Sequence, residues 1–279
     1  MKAFAVIVVL VAVPILAGCG KEVLSATGGP DPNVVVTPNP LTNQLWAHYR
    51  FDEDGGTVVH DSAPQRRDGV LFGGMWLLDG GQFGGALHFD GDSGVIVNGF
   101  PDAPPDFTLS MWIRVAGAPP VVAFAGNMQV TSGFGTILST EVVHQGGWQF
   151  NLEPVPDSGI ATHFAYWETD APENNAPHPL TLERCRCVVE NQWIHFAAVV
   201  DSASNTLSLY VNGALAAPPM PDAGSILAGA PALYMGTWGG NTGPPRFLVG
   251  DIDDVAIYGR ALSPSEVLAL QSGPPPDMP

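Results

Sequence analysis

Between Leu45 and Leu270 the chain repeats one pattern: a short run with apolar residues at alternate positions, closed by Asp, Asn or Gly. Successive side chains of a strand point to opposite faces, so such runs specify strands with one face buried, joined by tight turns. In LWAHYRFDEDGG, Leu45, Ala47, Tyr49 and Phe51 share one face before an acidic, glycine-containing turn. In DFTLSMWIRV, Phe107, Leu109, Met111 and Ile113 alternate with Thr108, Ser110, Trp112 and Arg114. The runs GTILST and GGWQFNLE, the apolar stretch from Ile160 to Trp167, and ALYMGTW continue the series. The clearest hairpin spans Gln192 to Gly213: two strands around a polar turn, then an Asn-Gly turn. With 33 Gly and 27 Pro, turn formers make up about a fifth of the chain, which favours many short strands over helices. Apolar residues at 46% and charged residues at 13% suffice for one large core, and an all-β domain is expected.

The last element of the pattern is different. In GDIDDVAIYGRALSPSEVLAL, strict alternation puts Ile252, Asp254, Ala256 and Tyr258 on one face and Asp253, Val255 and Ile257 on the other. A tight Tyr-Gly-Arg turn then leads to a short helix. Ser263 suits its cap, Pro264 its first position, and Glu266 the carboxylate of a capping box. Val267, Leu268 and Leu270 supply the apolar side, and Ser272, Gly273 and a Pro run end the helix.

The N-terminus has its own logic. MKAFAVIVVLVAVPILAGCG joins Lys2 to an apolar run too short for a comfortable span and ends in Leu16, Ala17, Gly18 and Cys19. This resembles the bacterial lipobox, which implies a lipoprotein signal peptide over residues 1–18 and a lipid on Cys19, the new N-terminus. Gly20 stands where an inner-membrane retention aspartate would be, so the expected address is the bacterial outer membrane or cell surface. Residues 19–43, with Pro30, Pro32, Pro38 and Pro40, read as an extended tether, and residues 273–279 as a Pro-rich tail.

A net charge of -17 argues against nucleic-acid partners, whose phosphates need Lys and Arg. Acidity keeps a protein soluble; a calcium site is the functional alternative.

Phe51-Asp52-Glu53, Asp61-Ser62 with Asp68-Gly69, Gly84-Gly85-Ala86-Leu87 and Phe89-Asp90-Gly91 occur in that order. Trp193, His195, Ala197, Asp201, Leu209, Tyr210, Asn212 and Gly213 follow, and the closing strand and helix complete the set. Together these resemble LamG-like jelly-roll domains of the concanavalin A-like lectin/glucanase superfamily. The resemblance implies a two-sheet antiparallel sandwich over residues 44–272 with a short C-terminal helix. It also implies a non-catalytic cell-envelope module that recognises carbohydrate or a surface protein. A structural envelope protein without a small ligand is a second reading. A third is a laminarinase-like glycoside hydrolase, since Glu168, Asp170 and Glu173 match that family's catalytic spacing. Against catalysis, Pro172 cannot donate to a central ladder and the run DAPENNAPHP reads as a loop.

The same resemblance places a structural calcium ligand at Asp253, with the acidic patches at Asp52 to Asp54 and Asp90 to Asp92 as contributors. The other reading is that backbone N–H groups and Arg260 satisfy Asp253 and Asp254. Cys185 and Cys187 in RCRC form a candidate disulfide in an exported protein, although a bridge across one residue closes a small ring. Two cysteines without a nearby His pair make a poor zinc site. Trp46, Trp76, Trp112, Trp148, Trp167, Trp193 and Trp238 suit either the core or sugar stacking. Trp148 and Trp167, on strands with polar neighbours, are the candidates for a ligand face.

Overall fold

The computed structural model describes residues 39–116, 135–141, 146–155, 159–167, 179–181, 185–221, 226, 228–239 and 246–276. In chain order the strands begin with β1 (Leu45–Tyr49), β2 (Val58–Val59), β3 (Gly69–Phe72), β4 (Met75–Leu77), β5 (Ala86–Asp90) and β6 (Gly94–Asn98). Then come β7 (Phe107–Arg114), β8 (Gly135–Ser139), β9 (Trp148–Val155), β10 (Gly159–Trp167), β11 (Pro179–Thr181) and β12 (Cys185–Val188). The last are β13 (Ile194–Asp201), β14 (Thr206–Val211), β15 (Ala214–Leu215), β16 (Met220–Pro221), β17 (Ala232–Met235) and β18 (Val249–Tyr258), before helix α1 (Pro264–Ser272).

The strands form two antiparallel sheets. The first runs β15-β14-β13-β7-β18-β5-β4, with β1 beside β18 and β16 beside β14. The second runs β11-β10-β9-β8-β17-β6-β3-β2, with β12 beside β10. Their apolar faces meet in one core: Phe107, Leu109, Met111, Ile113, Phe196 and Ile252 from the first sheet; Val95, Leu138, Trp148, Phe150, Phe164 and Met235 from the second. This is the expected jelly-roll sandwich with a short C-terminal helix.

Around β13, β14 and the second half of β18 the other face of the first sheet is covered as well. Ala197, Val199, Tyr210, Ala256 and Tyr258 pack with Leu262, Val267 and Leu270 of the C-terminal segment and with Leu41 and Leu45 of the N-terminal one. The capping box forms as the sequence predicts, with Ser263 and Glu266 bonding each other's backbone N–H. Central strand β18 is consequently buried on both faces.

Strict alternation fails in β18. Asp253 lies opposite Trp112 but Ala256 lies opposite Ser110, so three steps on β18 match two on β7. The extra residue is a bulge at Asp254, whose φ is 45°. Beyond it the faces exchange: Ile252, Val255 and Ile257 reach the main core, while Ala256 and Tyr258 turn to the helix side. Asp254 is buried, its Oδ1 3.0 Å from His48 Nε2. A second slip lies between Leu45 and Ala47 of β1, so Leu45 joins the helix-side cluster while Ala47, Tyr49 and Phe51 join the main core.

Candidate ligand-binding face

The outer face of the second sheet carries one rung across eight strands. Its register runs Val58–Val70–Ile96–Tyr234–Ser139–Gln149–Ala165–Thr181. Neighbouring strands lie about 4.8 Å apart, so the rung is about 34 Å long. The β2–β3 end is apolar and open: Val58 and Val70 are 44% and 55% exposed. Nearer the middle the rung becomes polar, with Ser139 and Gln149 buried.

Trp238, Arg246 and Glu141 flank that centre. The Trp238 indole Nε1–H donates to Glu141 Oε2 at 3.0 Å, and the Arg246 guanidinium lies 4.5 Å from the centre of the Trp238 ring. Arg246 Nη1 also donates to Gln149 Oε1 at 3.4 Å. Burial pulls the Arg246 pKa down, and the Glu141 carboxylate opposes that shift. Gly239 lies against the Tyr234 ring, where a Cβ would meet ring atoms at 2.1 Å, so only glycine allows this approach. Trp238 and Tyr234 are both half-buried. An aromatic side chain, a guanidinium, a carboxylate and an amide, fixed by one another on a sheet face, can combine ring contacts with directed hydrogen bonds.

The tryptophans chosen from the sequence fare differently. Trp148 is a core residue, not a surface one: it is 2% exposed and its ring lies 6.1 Å from Phe107 and 6.3 Å from Phe164. Alternation is the reason, because Trp148 shares a face with Phe150 and Leu152, whereas its polar neighbours Gln149 and Asn151 take the other. Trp167 ends β10 opposite Pro179, and its side chain lies outside the described residues. Glu168, Asp170 and Glu173 also lie outside them, as does Cys19. Cys187 is half-buried on β12 and the side chain of Cys185 falls outside the described residues.

Asp253 lies on the first sheet, away from this face. It is fully buried, and its Oδ2 accepts the backbone N–H groups of Gln82 and Phe83 at 2.7 and 2.9 Å. Burial, and next the neighbouring Asp254, push its carboxyl up to about 8. One rung joins Asp253, Trp112 and His195 across β18, β7 and β13, and in each a buried polar atom has no partner among the described residues: Asp253 Oδ1, Trp112 Nε1 and His195 Nδ1. Burial holds the His195 imidazole down at about 4, hence neutral. Calcium requires six to eight oxygen ligands. One oxygen of this carboxyl is instead taken by two backbone N–H donors, and among the described residues no group of three His, Cys, Asp or Glu is placed to hold a metal. The residues present do not fit calcium. Arg260 does not reach Asp253 either; it forks onto Glu266 at 2.7 and 3.2 Å. Of the acidic patches, Asp52 accepts Gly85 N–H and pairs with Arg50 at 3.2 Å, and Asp90 accepts the backbone N–H of Asp92.

The sequence left a partial signal for this face. Trp238 was one of seven candidate tryptophans, and alternation in ALYMGTW sets Tyr234 opposite to Leu233 and Met235. Glu141 and Arg246 lie outside the strands, where no periodicity applies.

The fold recurs in solved structures. Domain 4 of AbnA, a family 43 extracellular arabinanase from Geobacillus stearothermophilus solved with arabinotriose, superposes with TM-score 0.55 at 21% identity, over 82% of this chain and 98% of that one. The botulinum neurotoxin serotype D binding domain gives 0.56 at 11% identity, over 83% and 51%. The botulinum neurotoxin DC binding domain in complex with rat synaptotagmin II gives 0.54 at 14% identity, over 83% and 52%. The chain thus spans about half the length of these toxin domains. No curated protein matches it in sequence. A family model matches residues 89–268, more than half of the chain, and on that match, within the sandwich just described, the protein belongs to the concanavalin A-like lectin/glucanases superfamily.

Proposed function

We propose that the protein is a lipid-anchored, non-catalytic module of the bacterial cell envelope that binds polysaccharide along the outer face of the second sheet. The observation that carries this reading is the Glu141–Trp238–Arg246–Gln149 group set beside an open apolar strip on one rung. The accessible part of that rung, from Val58 to Tyr234 over four strands, is about 14 Å long and suits a short run of sugars better than a single one. Apolar sugar faces would lie on Val70, Ile96, Tyr234 and Trp238, and hydroxyl groups would meet Arg246, which the buried Gln149 and Glu141 hold in place. That a similar domain was solved with arabinotriose makes arabinan oligosaccharides the first ligands to try.

The test is isothermal titration calorimetry of the full-length protein in detergent against arabinan, β-glucan and envelope polysaccharides. At least one is expected to bind, with affinity falling roughly tenfold in Trp238→Ala. Equal binding by wild type, Trp238→Ala and Tyr234→Ala would remove the ligand from this face. Release of reducing ends that stops in Glu168→Gln would replace the non-catalytic reading with a hydrolase.

A further inference from the structure

The first sheet carries a separate polar assembly that the polysaccharide reading does not use. One rung runs Met75–His88–Asp251–Arg114 across β4, β5, β18 and β7. It faces away from the main core, because the adjacent residues Leu87, Ile113 and Ile252 point into that core. Asp251 is the hub. Its Oδ2 accepts Arg114 Nε–H at 2.7 Å, and its Oδ1 lies 2.7 Å from His88 Nδ1. Both carboxylate oxygens are therefore engaged, and the group is only 10% exposed. The two groups it holds are open to solvent, Arg114 at 31% and His88 at 35%. The Arg114 guanidinium also lies 4.7 Å from the centre of the Trp193 ring, which fixes its plane.

Such an arrangement leaves functional atoms turned outward. With Nε committed to Asp251, the two η nitrogens of Arg114 keep their N–H groups for a ligand. With Nδ1 on the carboxylate, His88 keeps Nε2. Both side chains converge on one carboxylate, so the two free edges belong to one patch, bordered by the exposed Met75 and by Trp193. Guanidinium N–H groups in a fixed plane match a planar carboxylate in a bidentate pair. Beside the Asp251 carboxylate and in a chain of net charge -17, a phosphate monoester would set nearly two charges on this one guanidinium, whereas a uronate sets one per ring.

We infer that the His88–Asp251–Arg114 cluster is a second binding site, for a carboxylate-bearing saccharide such as a uronate. Arg114 takes the carboxylate, His88 hydrogen-bonds a neighbouring hydroxyl, and Asp251 positions both without touching the ligand. The site stands independently of the polysaccharide face, which lies on the other sheet.

The test is calorimetry of the full-length protein in detergent with digalacturonate, galactobiose and galactose 6-phosphate. Digalacturonate is expected to bind, with its Kd raised roughly tenfold in Arg114→Gln and in His88→Gln and unchanged in Trp238→Ala. Because His88 is part-exposed, His88→Gln keeps a folded protein even if loss of the Arg114–Asp251 pair does not, and thermal melts verify this. The inference is overturned if digalacturonate fails to bind, if it binds wild type and His88→Gln equally, or if galactobiose binds as tightly. Tighter binding of galactose 6-phosphate overturns the assignment of a carboxylate. Loss of polysaccharide binding in Trp238→Ala alone bears only on the other face.

Discussion

Glu266 shows how much one side chain does at the end of this chain. Its carboxylate accepts the backbone N–H of Ser263 at 2.8 Å, completes the capping box of α1, and receives two N–H groups of Arg260. The hydrogen bonds from Arg260 are the main cause that holds its pKa down at about 2, with Ser263 contributing next against the opposing cost of burial. A carboxylate with a depressed folded pKa stabilises fully above its unfolded pKa of about 4.3, and loses that contribution as pH falls through about 2. Glu266→Gln is therefore expected to lower stability by about 1 kcal/mol at pH 7, a figure kept small because the pair is partly solvated. Urea denaturation in a pH series should show the gap between wild type and variant narrowing below about pH 4 and closing near pH 2. A gap of constant size down to that pH would assign the effect to helix propensity instead.

At the scale of elements, β18 is where alternation and structure part. Period-two patterning identified its two faces correctly as far as Asp253, and placed β7 correctly throughout, because nothing interrupts the register of Phe107 to Ile113 against β13. The bulge depends on one left-handed residue, and a hydrophobicity pattern carries no record of φ. That residue is Asp254, a type that tolerates φ of 45° better than most, with His48 as its buried partner. Asp254→Gly keeps the conformation and loses the His48 contact; Asp254→Val loses both and adds a β-branched side chain in the left-handed region. The valine variant is expected to be less stable than the glycine variant by about 1–3 kcal/mol, read from urea midpoints. Equal midpoints would show that β18 re-registers without strain. β12 carries a similar slip: Ile160 pairs with Val188 but Thr162 pairs with Cys185, so the cysteine strand holds one residue more than its partner. We propose a Cys185–Cys187 bridge within this bulged segment, whose extra residue relaxes the fixed spacing of a regular strand. Peptide mass mapping without reductant should recover it as a mass two hydrogens lower than the dithiol, and recovery of both thiols free would refute it.

For the whole molecule, the sandwich was legible because many short alternating runs in a fixed order admit few architectures. The ligand face was not, because Glu141, Gln149, the Tyr234–Trp238 run and Arg246 are four separate segments that only the sheet order brings together. Attachment to a membrane is a different question, and charge frames it. With 27 acidic and 10 basic residues the chain is repelled by anionic lipid surfaces, and among the described residues no helix is long and apolar enough to cross a bilayer. The lipid proposed on Cys19 would answer both points, since each buried methylene of an acyl chain contributes about 0.8 kcal/mol and two or more chains make a stable anchor. Expressed in a bacterial host, the protein is expected to partition into the detergent phase on cloud-point separation and to carry an acylated N-terminal cysteine by mass spectrometry. Cys19→Ser should move it to the aqueous phase while leaving saccharide binding unchanged, because the sheet faces lie in a compact unit that begins at Pro38. If Cys19→Ser stays in the detergent phase, the apolar N-terminal run itself holds the protein, as an uncleaved anchor rather than a signal peptide.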